Sequence, residues 1–213
     1  MTGYAGIFIT LEGGEGSGKS TQLRALHTAL QDAGKQVVFT REPGGSEGAE
    51  QIRALLVEGG ADRWDAMTEL LLLLAARRDH LRRLIIPALA RGAWVLCDRF
   101  SDSTLAYQGA GGGLGRPAIE ALSALALGDD SPKPDLTLIL DLPVAEGLAR
   151  AQSRGDGEQR FEGRGHAFHE RLRTAFRDIA ETEPERCAVI DATPSPDAVS
   201  AAIWATVRAR FGI

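Results

Sequence analysis

Five short apolar segments recur along the chain, separated by longer stretches with helical periodicity. Each segment is five or six residues long, is rich in β-branched side chains and shows little alternation with polar residues, which is typical of strands buried on both faces. The predicted strands are residues 7–11, 36–40, 94–98, 136–141 and 187–191. Strands that alternate with helices favour a parallel sheet, so the pattern predicts an α/β fold of three layers, with helices on both faces of a five-stranded parallel sheet.

Apolar positions at helical spacing predict seven helices, at residues 19–33, 46–57, 65–90, 116–127, 144–153, 165–182 and 196–210. Gly34 and Gly92 stand where a glycine commonly ends a helix. The run 70–76 is apolar around the whole helix and must therefore bury two faces. A homodimer interface would cover one of them; complete coverage within the monomer is the alternative. The glycine-rich stretch 109–115 is predicted to be a mobile surface loop.

Composition narrows the class of protein. The chain has 213 residues, 44% of them hydrophobic and 25% charged, which suits one globular domain with a small appendage. A formal net charge of -5 argues against general binding to nucleic acid or anionic membranes. The longest aliphatic run is too short to span a bilayer, and no secretion signal is recognised at the N-terminus. Cys97 and Cys187 lie in predicted strands and are interpreted as buried hydrophobes, so we expect a cytoplasmic protein without disulfides.

The stretch GGEGSGKST follows the first predicted strand and matches the G-x-x-x-x-G-K-[ST] phosphate-binding pattern. Glycines allow successive backbone N–H groups to point at phosphate oxygens, together with the positive end of the next helix. A lysine adds a full charge near the β- and γ-phosphates, and the following hydroxyl can ligate Mg²⁺. A glycine-rich turn that matches by chance is the alternative, and the strand context disfavours it. The predicted ATP-binding residues are Gly13, Gly14, Glu15, Gly16, Ser17, Gly18, Lys19, Ser20 and Thr21.

A phosphate loop predicts a bound triphosphate but leaves the reaction open. A regulatory GTPase would carry an N-K-x-D guanine reader, which the sequence lacks, and a partitioning ATPase would carry a lysine early in the loop, where Glu15 stands. A small-molecule kinase needs further cations around the transferred group. Candidates are Arg41 and Arg99, after the second and third strands, and a cluster in the polar segment near residues 150–164. This cluster consists of Arg150, Arg154, Arg160 and Arg164.

The chain resembles the bacterial thymidylate kinases, which transfer a phosphoryl group from ATP to dTMP. The similarity runs nearly end to end through LEGGEGSGKST, FTREPGG, LLLLAAR, DRFSDSTLAYQG, KPDLTLILDL and VIDAT. It implies one P-loop kinase domain over residues 1–213, a short mobile lid at about 150–164, Mg²⁺ with ATP as the donor, and a homodimer. The alternatives are a kinase for another nucleoside monophosphate and a catalytically silent nucleotide-binding protein.

The resemblance also implies roles for residues around the acceptor. Arg99 would hold the acceptor phosphate, while Asp98 would join Ser20 near the metal. Arg77 would bind a thymine carbonyl, with Thr104 and Gln108 on the remaining base edge. The other implied substrate contacts are Tyr107 near the sugar, Arg53 on the base side, Pro43 of FTREPGG, and Leu73, where the family commonly has a stacking phenylalanine.

The implied catalysis is alignment and charge neutralisation by Lys19, Arg99, Mg²⁺ and the lid arginines Arg154 and Arg160. Glu15 would accept a hydrogen bond from the 3′-hydroxyl of the acceptor sugar. The nucleophile is already an oxyanion near neutral pH, so no general base is expected. The four histidines, His27, His80, His166 and His169, are interpreted as structural or solvent-facing.

Overall fold

A five-stranded parallel sheet forms the centre of the molecule, as a computed structural model shows for residues 4–60, 63–128, 131–154 and 164–213. The strand order is β2-β3-β1-β4-β5, and neighbouring strands pair in parallel. The α/β prediction with five parallel strands is therefore confirmed. The strands are β1 (Ile7–Glu12), β2 (Val37–Arg41), β3 (Trp94–Asp98), β4 (Leu136–Asp141) and β5 (Cys187–Asp191).

Helices cover both faces of this sheet. Successive residues of a strand point to opposite faces, so each strand contributes apolar side chains to both of them. Ile9 and Leu96 pack in a cluster with the helices that begin and end the fold, whereas Phe8 and Val95 pack on the opposite face. The described helices are α1 (Lys19–Asp32), α2 (Glu47–Val57), α3 (Ala66–His80), α4 (Ile86–Ala90), α5 (Ser101–Thr104), α6 (Arg116–Leu127), α7 (Val144–Arg154), α8 (His166–Thr182) and α9 (Pro196–Phe211).

Two of the helical regions contain π-helical turns. The predicted helix 65–90 consists of α3 and α4 joined by a π-helical segment, Leu81–Ile85, and a second such segment, Leu105–Gly111, extends α5. The second region was not predicted to be a helix, and the loop prediction is wrong for residues 109–111. Packing explains the difference, because Ala106, Tyr107 and Gln108 are buried there. A Cβ on Gly111 would lie 2.5 Å from the Phe168 ring, so glycine allows this close contact.

The other local predictions hold with shifts of one residue at helix and strand ends. Gly34 and Gly92 follow α1 and α4 in the left-handed backbone region, and both cysteines are buried. In the apolar run of α3, Leu70 and Leu74 are buried, while the Leu71 side chain is 50% exposed. The described monomer therefore leaves one side of α3 uncovered. None of the helices in the described ranges combines the length and apolarity needed to cross a membrane.

Candidate active site

The phosphate loop, residues 13–18, joins the end of β1 to the start of α1. Its backbone turns through positive φ at Gly13, Gly16 and Gly18, with values of 137°, 69° and 89°. Gly16 also lies against α7, where a Cβ would be only 2.0 Å from the carbonyl oxygen of Gly147. A side chain at that position would push the loop away from α7, so the glycine is required by contact as well as by backbone conformation.

Lys19 lies over the loop that precedes it. Its Nζ donates hydrogen bonds to the carbonyl oxygens of Gly13 and Gly14, at 3.2 and 3.0 Å. Burial and the nearby Arg99 guanidinium lower the pKa of Lys19 to about 8, although Glu15, Asp98 and Glu12 favour its charged form. The ammonium group is therefore held in a largely buried cluster of charges at the mouth of the loop, where a phosphate would provide a further counter-charge.

Ser20 and Asp98 meet at the carboxyl edge of the sheet. The Ser20 hydroxyl donates to Asp98 Oδ2 over 3.1 Å, although the two residues are 78 positions apart in the chain. Hydroxyl and carboxylate oxygens are the hard ligands that Mg²⁺ prefers, so this pair fits that ion. Over the described ranges, no group of three or more His, Cys, Asp and Glu side chains could hold a metal. Two protein ligands suit an ion that shares its remaining positions with phosphates and water.

Arg99 connects the phosphate loop with the helix that follows β3. Its backbone is left-handed, at φ 69°, and its N–H donates to Leu11 of β1. The guanidinium donates from Nη1 to the Gly13 carbonyl oxygen at 3.0 Å and from Nη2 to Glu15 Oε1 at 3.0 Å. It also stacks on the Tyr107 ring, with 4.9 Å between the guanidinium carbon and the ring centroid. These contacts hold a permanent cation at the point where β1, the loop and α5 meet.

Glu15 is the acidic residue of the phosphate loop. Its Oε1 accepts hydrogen bonds from Arg99 and, at 2.7 Å, from the Tyr107 hydroxyl. Burial opposes ionisation, but Arg99, Lys19 and the Tyr107 hydrogen bond together lower the pKa of Glu15 to about 2. The side chain is therefore an ionised hydrogen-bond acceptor at any pH near neutrality.

Two cavities meet at Arg99. The inner cavity, of about 540 Å³, lies between α3 and α5 with its π-helical extension, and the P-loop cavity, of about 1030 Å³, lies over the phosphate loop. Four residues line both of them: Glu15, Glu42, Pro43 and Arg99. The inner cavity is also lined by Leu73, Arg77, Thr104, Tyr107 and Gln108, and the P-loop cavity by Lys19, Ser20, Arg53 and Asp98. The geometry thus provides two adjoining compartments whose shared wall carries one cation, Arg99, beside the carboxylates of Glu15 and Glu42.

Arg77 is held rigidly in the wall of the inner cavity. Its side chain is 3% exposed, and its Nε donates to Glu42 Oε2 at 2.6 Å. Its Nη2 donates to the Phe100 carbonyl oxygen at 3.0 Å and to the Thr104 hydroxyl at 2.9 Å. Nη1 has no hydrogen-bond partner among the residues that the structure describes, so two N–H donors stay available for a ligand.

Glu42, which also lines the inner cavity, anchors Arg77. Its second oxygen, Oε1, lies 3.0 Å from His80 Nδ1, and His80 Nε2 lies 2.7 Å from the Thr40 hydroxyl. All of these side chains are buried. His80 is therefore a structural residue, as expected, within a polar network that runs from β2 to α3.

Sequence reasoning missed three buried glutamates that support the site, Glu12, Glu42 and Glu69. Glu12, at the end of β1, accepts hydrogen bonds from the Phe100 N–H at 2.7 Å and the Ser103 hydroxyl at 2.6 Å. Burial and the neighbouring Asp102 raise the pKa of Glu12 to about 7. An acidic residue next to an apolar run, as at Glu12 and Glu69, was the available signal, because a charge beside core residues needs a partner.

The remaining predicted site residues lie in different parts of the structure, and one of them lies outside the described residues. Arg53 lines the P-loop cavity and not the inner one, and donates to the Pro43 carbonyl oxygen at 2.7 Å. Arg154 ends α7, and Arg160 lies outside the described residues. Arg150 donates to Ala192 after β5, and the Arg164 guanidinium lies over the Phe168 ring. Among the other histidines, His27 is half-buried, His166 is exposed and His169 is buried.

A family model described as Thymidylate kinase matches residues 11–203, and the match includes the phosphate loop, both cavities and β5. The chain belongs to the thymidylate kinase family. It is therefore an enzyme of the transferase class, a kinase that acts in nucleotide biosynthesis. The resemblance read from the motifs is confirmed, and the alternatives of a GTPase, a partitioning ATPase and a silent nucleotide-binding protein are not supported.

Full-length relatives and a solved structure agree with the family model. A thymidylate kinase from Caulobacter vibrioides is 60% identical over 98% of this chain and 99% of its own length. One from Magnetococcus marinus is 52% identical over 97% of both chains. The crystal structure of thymidylate kinase from Ehrlichia chaffeensis is similar, with a TM-score of 0.76 and 36% identity over 95% of this chain and 98% of that chain.

Proposed function

We propose that the protein transfers the γ-phosphoryl group of ATP to dTMP, producing dTDP and ADP for dTTP synthesis. The observation that carries this proposal is the position of Arg99, which lines both cavities and touches the phosphate loop through Gly13 and Glu15. A phosphoryl transferase must bring two anionic substrates together, and a shared arginine lowers their mutual repulsion. The proposed domain is one P-loop kinase unit over residues 1–213 in the cytoplasm, with a lid at about 150–164.

The donor half of the proposed site is the P-loop cavity. The backbone N–H groups of residues 13–21 and the Lys19 ammonium would bind the phosphates of ATP. Ser20 and Asp98 would hold Mg²⁺, which would neutralise part of the charge of the triphosphate. The hydrogen bonds that Lys19 makes to Gly13 and Gly14 hold its ammonium group against the loop, where it would meet the phosphates.

The acceptor half of the proposed site is the inner cavity. Thymine would lie against Leu73, which covers the ring by dispersion but lacks an aromatic pairing contribution of about 1 kcal/mol. Arg77 would donate from Nη1 to a thymine carbonyl, and Gln108 with Thr104 would read the adjoining edge. Tyr107 would lie beside the sugar, and Glu15 would accept a hydrogen bond from the 3′-hydroxyl of that sugar. Arg99 would hold the acceptor phosphate, and Arg53 would support this phosphate from the P-loop cavity.

In this arrangement the protein aligns two oxyanions and neutralises their charge. Lys19 and Arg99 stabilise the charge that develops on the transferred group, and no side chain needs to remove a proton from the acceptor phosphate. We assign Arg154 and Arg160 to a lid that closes over the ATP phosphates and excludes water, as the family resemblance implies.

Formation of ADP with ATP, Mg²⁺ and a panel of acceptors tests the proposed function. We expect strong ADP formation with dTMP, weaker formation with dUMP and none without an acceptor. A 3′-deoxy analogue of dTMP lacks the hydroxyl assigned to Glu15 and should have a kcat/KM about tenfold lower. Preference for dCMP, AMP or GMP would contradict the base assignment, and hydrolysis of ATP without an acceptor would contradict the transferase reaction.

We also propose that two copies of the chain associate through α2, α3 and α6. Of the six large apolar side chains that are exposed in the described ranges, Leu55, Met67, Leu71 and Leu125 belong to these helices, whereas Phe39 and Val189 belong to β2 and β5. An uncovered apolar surface of this kind is typical of a subunit interface. Sedimentation equilibrium should give twice the chain mass of 22.7 kDa, and Leu71→Asp should shift the protein toward the monomer. A wild-type monomer at micromolar concentration would contradict the proposal.

A further inference from the structure

Glu69 and Gln108 form a buried hydrogen bond at the edge of the inner cavity. Gln108 Nε2 donates to Glu69 Oε1 over 2.6 Å, and the two residues are 4% and 2% exposed. Glu69 belongs to α3, whereas Gln108 belongs to the π-helical extension of α5. Glu69 is not among the residues that line the cavity, whereas its partner Gln108 is, so Gln108 connects Glu69 to the cavity.

A carboxylate restricts the orientation of the amide beside it. A carboxylate oxygen accepts hydrogen bonds, and here Glu69 Oε1 accepts from Gln108 Nε2, so the amide nitrogen of Gln108 faces Glu69. The opposite orientation would place two acceptor oxygens at hydrogen-bond distance, in a buried environment where their repulsion is poorly screened. The Gln108 carbonyl oxygen, Oε1, is thereby left without a protein partner in the described ranges, although the residue lines the cavity.

We propose that Glu69 is a positioning residue that sets base selectivity by fixing the Gln108 amide with its oxygen available to the base. This inference rests on the proposed function, because it requires the acceptor base to occupy the inner cavity. The N3 atom of thymine and of uracil carries a hydrogen and can donate to that oxygen. The N3 atom of cytosine is an acceptor, so it and the Gln108 oxygen, both with partial negative charge, would repel each other.

Arg77 lies on the same face of α3 as Glu69 and adds a hydrogen-bond donor to the cavity. Glu69, Leu73 and Arg77 are spaced by four residues, so they line one side of the helix. Glu69 binds Gln108 and Arg77 binds Thr104, which lies one helical turn earlier. The cavity therefore offers a fixed donor, Arg77 Nη1, and a fixed acceptor, Gln108 Oε1. Thymine presents the matching acceptor and donor at O4 and N3, whereas cytosine presents the reverse.

The isosteric variant Glu69→Gln tests the inference, because a glutamine can donate or accept and no longer dictates the orientation of Gln108. We expect the ratio of kcat/KM for dTMP to that for dCMP to fall about tenfold, the effect of one misoriented hydrogen bond. The KM for ATP should stay unchanged. Glu120→Gln, an exposed glutamate on α6, is the matched control and should leave the ratio at the wild-type value.

Gln108→Ala and the double variant separate this inference from the proposed function. If Gln108→Ala leaves the ratio unchanged, Gln108 does not read the base and the proposed acceptor site itself is wrong. If Gln108→Ala lowers the ratio but Glu69→Gln does not, only the role of Glu69 is overturned. An equal effect of Glu69→Gln in both backgrounds also overturns it, because a positioning residue must act through Gln108. Should Glu69→Gln fail to fold, Glu69→Ser carries the same expectation.

Discussion

Replacement of Arg99 by alanine should lower kcat/KM for dTMP by about three orders of magnitude. The guanidinium lines both cavities and carries a charge that no described neighbour can replace at the same position. Burial opposes that charge, but Tyr107, Glu15 and Asp98 raise the pKa of Arg99 above its ordinary value. The side chain is therefore charged at every accessible pH, and its loss would leave two phosphate groups to approach each other without a shared cation.

The division of the effect between kcat and KM is informative. Arg99 would contact the acceptor phosphate before and during transfer, so we expect kcat to fall and the KM for dTMP to rise, with little change in the KM for ATP. Arg99→Lys should recover only part of the activity. A lysine keeps the charge but cannot contact Gly13, Glu15 and the acceptor phosphate together as a planar guanidinium can.

Steady-state kinetics of Arg99→Ala, Arg99→Lys and the control variant Arg116→Ala would test this prediction. Arg116 is an exposed arginine on α6 that pairs with Glu120, so its removal should leave the kinetics unchanged. An Arg99→Ala enzyme within tenfold of wild type would contradict the assignment of Arg99 to the transferred or acceptor phosphate.

Replacement of Arg77 by methionine should lower the free energy of unfolding by about 3 to 5 kcal/mol. Glu42 is buried beside Arg77, and its carboxylate bonds to Arg77 Nε at 2.6 Å. Methionine fills a similar volume but leaves that charge without its cation, and it also removes the donors to Phe100 and Thr104. The cost arises mainly because the Glu42 carboxylate stays buried without its cation, and not from the loss of the Arg77–Glu42 attraction itself.

Urea unfolding of matched variants would measure this cost. Arg78→Met, at the next position of α3, removes an exposed arginine and should cost less than about 1 kcal/mol. Combining Arg77→Met with Glu42→Gln should recover a large part of the loss, because the buried charge is then absent. Equal destabilisation by Arg77→Met and Arg78→Met, or no recovery in the double variant, would refute this explanation.

The phosphate loop and the five strands could be predicted because their signals are local. A glycine-rich loop between a strand and a helix needs the same residues wherever it occurs, and a strand buried on two faces must be apolar throughout. The loop prediction for residues 109–111 failed because Gly111 packs closely against Phe168 and does not form a turn. Local propensity could not reveal the helix at 101–111, which tertiary contacts stabilise.

The proposed site residues were identified from the sequence with unequal completeness. Arg77, Thr104, Tyr107 and Gln108 were named from family motifs, and all four line one cavity in the structure. The residues that hold them were missed. Glu12, Glu42 and Glu69 each bond to a partner at least 35 positions away. An acidic residue beside an apolar run indicates that a partner is needed, but a single sequence does not show which residue that partner is.

The sequence by itself determined the fold class, the phosphate loop and the family, since each depends on residues that are adjacent or regularly spaced. The tertiary structure alone decided that Arg99 lines two cavities, that Arg53 lines the P-loop cavity, and that the buried carboxylates of Glu42 and Glu69 bond to Arg77 and Gln108. The physical reason is that a buried polar group takes its role from whichever partner the folded chain brings within hydrogen-bond distance.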